Sequence, residues 1–255
     1  MGQASVFSAS HYPLIIVGAG IHGASLAWEA ARRGVDLLLL DRSDFGSGVS
    51  ANSLRTIHGG LRYLQNADFH RARISACEQE QMLNGIPHLV RPMPCVVPTY
   101  RNLKRSRMAL ASGLLFYHTV IRAGLKSFPQ IETPLGILNV AELKRLISNA
   151  RLDDVTGGAA WIEAQAYAPE RLVLSYVLSA KRLGAECHNY YEVTSVLNQN
   201  NCVTGVQVRD TLTGGEQRLG CKVLVDATGS GIVPEVDFGK QEPGWLKAVN
   251  LVLAE

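Results

Sequence analysis

The 255-residue sequence predicts an α/β fold with a Rossmann-like dinucleotide-binding core, and three observations predict it. "PLIIVGAGIHG" carries a continuous apolar stretch straight into a Gly-x-Gly-x-x-Gly turn. A helical pattern and then "VDLLLLD", a second continuous apolar run, follow, so Pro13 to Asp41 reads as one βαβ unit. Far downstream, β-rich segments separated by "NQNN" and "TGG" read as an antiparallel meander and then a buried final strand, Val223 to Asp226.

Each element has a local cause. Leu14 to Val17 is uninterrupted by polar residues, the pattern of a strand buried on both faces. From Ile21, the positions Ala24, Trp28 and Ala31 recur at helical spacing, small residues let the axis lie close to the sheet, and Gly34 ends the helix. "RSDFGSGVSANS" has no helical period and reads as a loop. "FHRARISACEQEQML" predicts a polar-faced helix with Phe69, Ala72 and Met82 inward, and the prolines of "PHLVRPMPCVVP" require extended chain. Two further helices are expected near 108–122 and 140–150, the second capped by Asn139 with Glu142 completing a capping box. From Glu170 to Leu183, the residues Leu172, Val173, Tyr176, Val177, Ala180 and Leu183 mark one helix face.

Bulk properties narrow the function. Apolar residues are 47% and charged residues 18%, an ordinary globular composition. A formal charge of +3 is too small to argue for nucleic acid. The five cysteines show neither a Cys-x-x-Cys pair nor a nearby histidine at ligand spacing, so no metal site and no disulfide framework are expected. "MGQASVFSAS" lacks a secretory pattern, and Val6 stands where a myristoylation motif needs Ser or Thr, so a reducing, cytoplasmic location is expected.

The glycine motif carries the chemistry. Gly18 permits the turn, Gly20 lets backbone approach a pyrophosphate, Gly23 lets helix and strand pack closely, and the helix amino end offers N–H groups to the anion. Asp41, ending the next strand, can accept from ribose hydroxyls. NAD and FAD share this unit. An NAD domain continues into further alternating β and α elements, whereas here a Gly/Ser loop intervenes and the meander returns from far away, which suits a flavoprotein better.

Residues Asp44 to Leu64, "DFGSGVSANSLRTIHGGLRYL", resemble the flavin-contacting segment of FAD-dependent glycerol-3-phosphate dehydrogenases, within the D-amino-acid-oxidase-like flavoproteins. "PHLVRPMPCVVP", "ERLVLSYVLSAKRLGAECHNYYEVTSV" and "VLVDATGSG" are similar to further segments of that family, and the likeness runs over about 13–255. It implies that Gly18, Gly20, Gly23, Asp41 and Arg42 hold the FAD pyrophosphate and ribose. Gly48, Ser50 and Ser53 would line the diphosphate and ribityl path, the backbone at His58 and Gly59 would approach the isoalloxazine, and Val193 would touch the adenine end. Ala227 and Gly229 would close the site from the other side. Arg62 and Tyr63 match the pair that receives the substrate phosphate, and His58 is the nearest candidate for a base. The residues alone also allow His58 as a structural histidine, Arg62 as a solvated charge, Tyr63 as a core aromatic, and Gly59 and Gly60 as a tight turn.

The resemblance implies oxidation of sn-glycerol 3-phosphate or a similar phosphorylated polyol, with electrons passing to quinone. Two other readings stay open: an amine or hydroxy-acid oxidase of the same superfamily, and a flavin-binding fragment without catalytic competence. Val49, Ala51, Asn52 and Leu54 depart from the family pattern, as does Asp226 for Asn, which puts the substrate in question more than the fold. Arg101, Lys104, Arg105 and Arg107 precede an apolar segment that reads either as a solvated run before a core helix or as a peripheral contact with the cytoplasmic face of the inner membrane. The expected organisation is a first FAD-binding part at 13–65, an inserted helical segment at 66–150, a return with the meander at 151–230, and the start of a truncated substrate domain at 231–255. "LKAVNLVLAE", stopping within an apolar run, reads as the end of a fragment.

Overall fold

The structure is a computed structural model that describes residues 6–101, 106–125, 135–147, 152–200 and 202–229. The segment 231–255, with its expected truncated domain, lies outside the described residues, as do Lys104 and Arg105. Backbone contacts separate two units, one whose described residues fall within Met1–Leu54 and Ala168–Glu255, the other Arg55–Tyr167.

The first unit is built on strands β1 (His11–Val17), β2 (Leu37–Leu40), β7 (Glu186–His188), β8 (Tyr191–Gln199), β9 (Cys202–Asp210) and β10 (Glu216–Asp226), ordered β7-β2-β1-β10-β9-β8. The pairs β7–β2, β2–β1 and β1–β10 are parallel, and the meander is antiparallel. Alternate residues of β1 and β2 enter different clusters. Ile16, Leu37 and Leu39 pack with Ala24, Ala27 and Ala31 of helix α1 (Ile21–Arg32) and with Val173, Val177 and Ala180 of helix α5 (Pro169–Arg182). Ile15, Val17, Leu38 and Leu40 pack instead with Val193, Val196, Val206 and Val208, so the meander covers that face. Burial on both faces is why these strands read as unbroken apolar runs.

Three expected inner positions prove otherwise. Leu183 is half-exposed because it lies past the last turn of α5, as its cap. Val223 is half-exposed, and the expected separate final strand is instead the far end of β10, whose first half pairs with β9 and whose second half pairs with β1. Phe69 is half-exposed at the first position of its helix, where the tilted ring of Phe116 at 5.2 Å covers one side.

The second unit centres on β6 (Gly157–Ala166), paired along its length with β4 (Val90–Thr99) and on its other side with β3 (Thr56–Ile57) and β5 (Gly136–Leu138). β4 is an edge strand, and Pro92, Pro94 and Pro98 fall at alternate positions, so no ladder donor is lost toward β6. Helix α2 (Phe69–Gly85) turns Ala72, Ala76, Gln79 and Leu83 inward. Helix α3 (Arg107–Phe116) runs into a π turn, Tyr117–Ile121, in which Arg122 N–H donates to the Tyr117 carbonyl at 2.9 Å. Helix α4 (Val140–Leu146) has the capping box expected of Asn139 and Glu142.

Candidate functional site

In the first unit, four segments meet at the end of β1. Gly18 N–H donates to the Leu40 carbonyl at 2.7 Å, tying the glycine turn to β2. Asp41 braces the same turn: one carboxylate oxygen accepts from Ala19 N–H at 2.7 Å and the other from Ser43 N–H at 2.9 Å. The Ser50 hydroxyl accepts from Ile21 N–H at 2.9 Å at the start of α1. The loop after β10 closes the group, with Ala227 N–H donating to the Val17 carbonyl at 2.8 Å.

Two glycines are required by this arrangement. Gly18 has φ +96°, and a Cβ there would stand 2.7 Å from the Ala227 carbonyl oxygen and 2.9 Å from the Thr228 Cα. A Cβ on Gly23 would run into the Gly18 carbonyl, because helix and turn are packed backbone to backbone.

The cradle suits an anion. The first turn of α1 contains no acidic residue, and Gly20 at its cap offers no side-chain acceptor, so the positive end of the helix dipole is not neutralised from within the helix. Ser50 accepts one N–H and keeps its own O–H to donate to a phosphate oxygen. A Cβ on Gly20 would approach the Ser50 oxygen to 3.1 Å, narrowing the space where a pyrophosphate must come close. Each Asp41 oxygen, having taken one backbone N–H, retains a lone pair for a ribose hydroxyl. The residues present therefore fit a dinucleotide. FAD would be held by Gly18, Gly20, Gly23, Ser50 and Asp41.

The other sequence-derived positions in this unit are placed less informatively. Arg42, Gly48, Ser53 and Gly229 are exposed, and a Cβ on Gly48 would meet nothing within 4 Å. The Val193 side chain is buried in the core, so any contact with an adenine would come from its backbone. Asp226, a departure from the family pattern, accepts from the Thr228 amide at 2.8 Å and its hydroxyl at 2.6 Å, bonds that the oxygen of an asparagine would also accept. Sequence reasoning missed Gly46. It has φ +75°, donates to the Ala19 carbonyl at 3.0 Å and abuts Val173, and the only signal was its place in "DFGSG".

In the second unit, Arg62 and Tyr63 are consecutive and exposed in a 3₁₀ turn, Leu61–Asn66, that follows Gly60. The His58 ring is largely exposed, and behind it lies Glu163, buried on β6. Glu163 accepts from Gly59 N–H at 2.6 Å, from the Gln79 amide at 3.0 Å and from the Trp161 indole at 3.1 Å. Tyr117 donates to the Gly59 carbonyl at 2.6 Å, and burial raises its phenol pKa above the ordinary value. Burial, and then the nearby Glu163 charge, push the Cys95 thiol up to about 11. Gln79 had a readable signal as the one polar residue on the inner positions of α2.

Residues 13–248 match the family model described as FAD dependent oxidoreductase. The chain is 35% identical over 204 residues to a glycerol-3-phosphate dehydrogenase of Synechocystis, covering 80% of this chain and 36% of that protein. It is 29% identical over 234 residues to the mitochondrial glycerol-3-phosphate dehydrogenase of Homo sapiens, covering 86% and 31%. Among solved structures, a glycerol-3-phosphate dehydrogenase from Bacillus halodurans complexed with FAD superimposes with a TM-score of 0.62 at 23% identity, over 86% of this chain and 34% of that one. L-proline dehydrogenase from P. horikoshii gives a TM-score of 0.65 at 16% identity, over 86% and 53%. These two likenesses establish the fold. The chain spans about a third of the length of the curated relatives it matches. A glycine cradle that fits a dinucleotide and a family match over nearly the whole sequence lead to one conclusion: the chain belongs to the FAD-dependent oxidoreductase family.

Proposed function

We propose that this chain supplies the flavin-binding region of an oxidoreductase that converts sn-glycerol 3-phosphate, or a similar phosphorylated polyol, to the ketone, with quinone as the eventual electron acceptor. The observation that supports this substrate class is the 35% identity to a protein named glycerol-3-phosphate dehydrogenase. FAD, when bound, supplies the two-electron acceptor. The chain's residues do the rest. Ser50 and the amino end of α1 hold the pyrophosphate, and Asp41 holds the ribose. The Arg62 guanidinium offers planar, permanently charged donors to phosphate oxygens, and the Tyr63 phenol adds a neutral donor. Bound FAD would accept the carbinol C–H pair as hydride. The hydroxyl proton passes to a base, for which His58 is the candidate, while the O–H pair forms the new C=O bond.

Anaerobic titration of the FAD-loaded chain with sn-glycerol 3-phosphate tests this. Bleaching of the flavin band is expected. Bleaching by amines or hydroxy acids alone would reassign the substrate, and flavin reduced by none of them would leave a cofactor-binding piece.

For the quinone, we propose peripheral membrane contact through α3. Met108 and Leu115, with Val120 on the π turn, are exposed apolar residues that follow the basic Arg101 and Arg107 in sequence. No helix among the described residues is long and apolar enough to cross a membrane. Co-sedimentation with anionic vesicles, stronger at low salt than at high, is expected, and no binding at either would remove the idea.

A further inference from the structure

The second unit holds a buried polar cluster that the reaction above does not use. Glu163 has only 5% of its surface exposed, yet donors from several elements aim at its carboxylate. One oxygen takes Gly59 N–H at 2.6 Å and the Gln79 amide at 3.0 Å. The other takes the Trp161 indole N–H at 3.1 Å and stands 3.7 Å from His58 Nδ1. Gln79 also donates to the Ile57 carbonyl at 2.8 Å, and its own oxygen faces Arg122 Nη1 at 3.5 Å. Tyr117 then captures the Gly59 carbonyl at 2.6 Å. Gly59 is thus gripped at both its N–H and its C=O, and its backbone cannot rotate without breaking a bond on each side. The grip also explains the glycine. A Cβ at 59 would stand 2.7 Å from the Gln79 oxygen and collide with the Tyr117 hydroxyl.

A backbone clamp does not need a charge. An amide or hydroxyl could accept from Gly59, and burying a carboxylate carries a large desolvation penalty that only strong donors and a nearby cation offset. The charge has a second neighbour, the His58 ring. At 3.7 Å the two are too far apart for a hydrogen bond but well within Coulombic reach, on the protein side of a ring whose remaining surface is largely open. A carboxylate beside Nδ1 favours a proton on that nitrogen. A neutral histidine side chain free in water prefers its proton on Nε2, so the carboxylate selects against the default tautomer and leaves the Nε2 lone pair available.

We propose that Glu163 is a positioning residue for His58: it fixes the His58–Gly59 backbone and selects the Nδ1–H tautomer, so that Nε2 can accept a proton. That the proton comes from a substrate hydroxyl rests on the function proposed above. The oxygen would then keep the O–H electron pair for the new C=O bond, the carbinol C–H pair being what bound FAD would accept as hydride. Glu163 itself touches no substrate.

The test is the imidazole ¹⁵N spectrum of the histidine-labelled chain at pH 9, with the His58 signals assigned by their loss in His58→Gln. The wild type is expected to show Nδ1 protonated and Nε2 bare, and Glu163→Gln, which keeps size but removes charge, is expected to shift the population toward Nε2–H. A wild-type His58 that is mainly Nε2–H overturns the proposal whatever the variants do. So does an unchanged population in a folded Glu163→Gln protein. Should Glu163→Gln fail to fold, Glu163→Asp keeps the charge but withdraws it by one methylene. Its population is expected to fall between the two extremes, and no change would again overturn the proposal. In the flavin-loaded chain, Glu163→Gln is expected to slow bleaching by glycerol 3-phosphate about 10- to 100-fold with KM nearly unchanged, and Glu163→Asp to recover part of the rate. If glycerol 3-phosphate never bleaches the wild type, the reaction reading falls, while the tautomer result still decides the role of Glu163.

Discussion

Replacing Gly18 by alanine perturbs the cradle at its tightest point. The new Cβ would lie 2.7 Å from the Ala227 oxygen, 2.8 Å from its carbonyl carbon and 2.9 Å from the Thr228 Cα. All three are backbone atoms, so no side chain can swing aside. Ordinary contact needs roughly 3.5 Å, which requires the turn and the loop after β10 to part by more than half an ångström. Overpacking of this kind costs about 1–3 kcal/mol, and φ +96° adds about 1–2 kcal/mol for any residue with a Cβ. The total, about 2–5 kcal/mol, is a large part of an ordinary domain's stability. Gly34→Ala is the control. Its φ is +76°, but nothing lies within 4 Å of the added Cβ, so only the backbone term of about 1–2 kcal/mol applies. Urea unfolding should therefore rank wild type above Gly34→Ala and Gly34→Ala above Gly18→Ala. Flavin fluorescence quenching should show affinity reduced at least ~10-fold in Gly18→Ala and unchanged in Gly34→Ala. Equal stability of the two variants, or wild-type flavin affinity in Gly18→Ala, would refute the geometry described for the cradle.

Three further outcomes are expected. Asp41→Asn leaves one oxygen to serve the two amide donors of Ala19 and Ser43, so unfolding by urea should show a loss of about 1–3 kcal/mol, with weaker flavin binding. Ser50→Ala removes the acceptor for Ile21 N–H and a phosphate donor, at a cost of about 1 kcal/mol, and should weaken flavin binding about 5-fold by calorimetry. Burial, and then the charge of Glu186, push the Cys187 thiol from an ordinary 9.0 up to about 11, against the opposing effect of Lys181. Below pH 9 native and unfolded thiols both keep their protons. As pH rises from 9 toward 11 only the unfolded thiol ionises, so native stability should fall over that window, and less steeply in Cys187→Ala.

The βαβ core was legible because its signals are local and physical. Strands buried on both faces must be apolar throughout, as in Leu37 to Leu40, and a helix that touches a strand must present small residues, as at Gly23, Ala24 and Ala27. The Asn139 capping box was legible for the same reason, since its partners are three residues apart. Periodicity misled at element ends. Phe69 and Leu183 continue a helical apolar pattern but sit at the first position and just past the last one, where the covering neighbours run out. Of the Glu163 cluster, only Gln79 left a mark in the pattern, as the polar residue among the inner positions of α2. Glu163's partners Gly59 and Gln79 are 104 and 84 residues away in sequence, and three of the cluster's bonds run to backbone, which leaves no residue-type signature. Even Asp41 was half legible. Its type and place announced a ribose acceptor, but not that both oxygens already brace the turn.

Gly18, Gly20, Gly23, Asp41 and Ser50 are proposed to form a cradle for FAD. Titrating the purified, folded chain with FAD, and following absorbance and flavin fluorescence together, tests it most directly. Saturable binding at a single flavin per chain is expected, with a shifted and structured flavin band. A chain that is folded by circular dichroism yet leaves the free-flavin spectrum unchanged throughout the titration would contradict it.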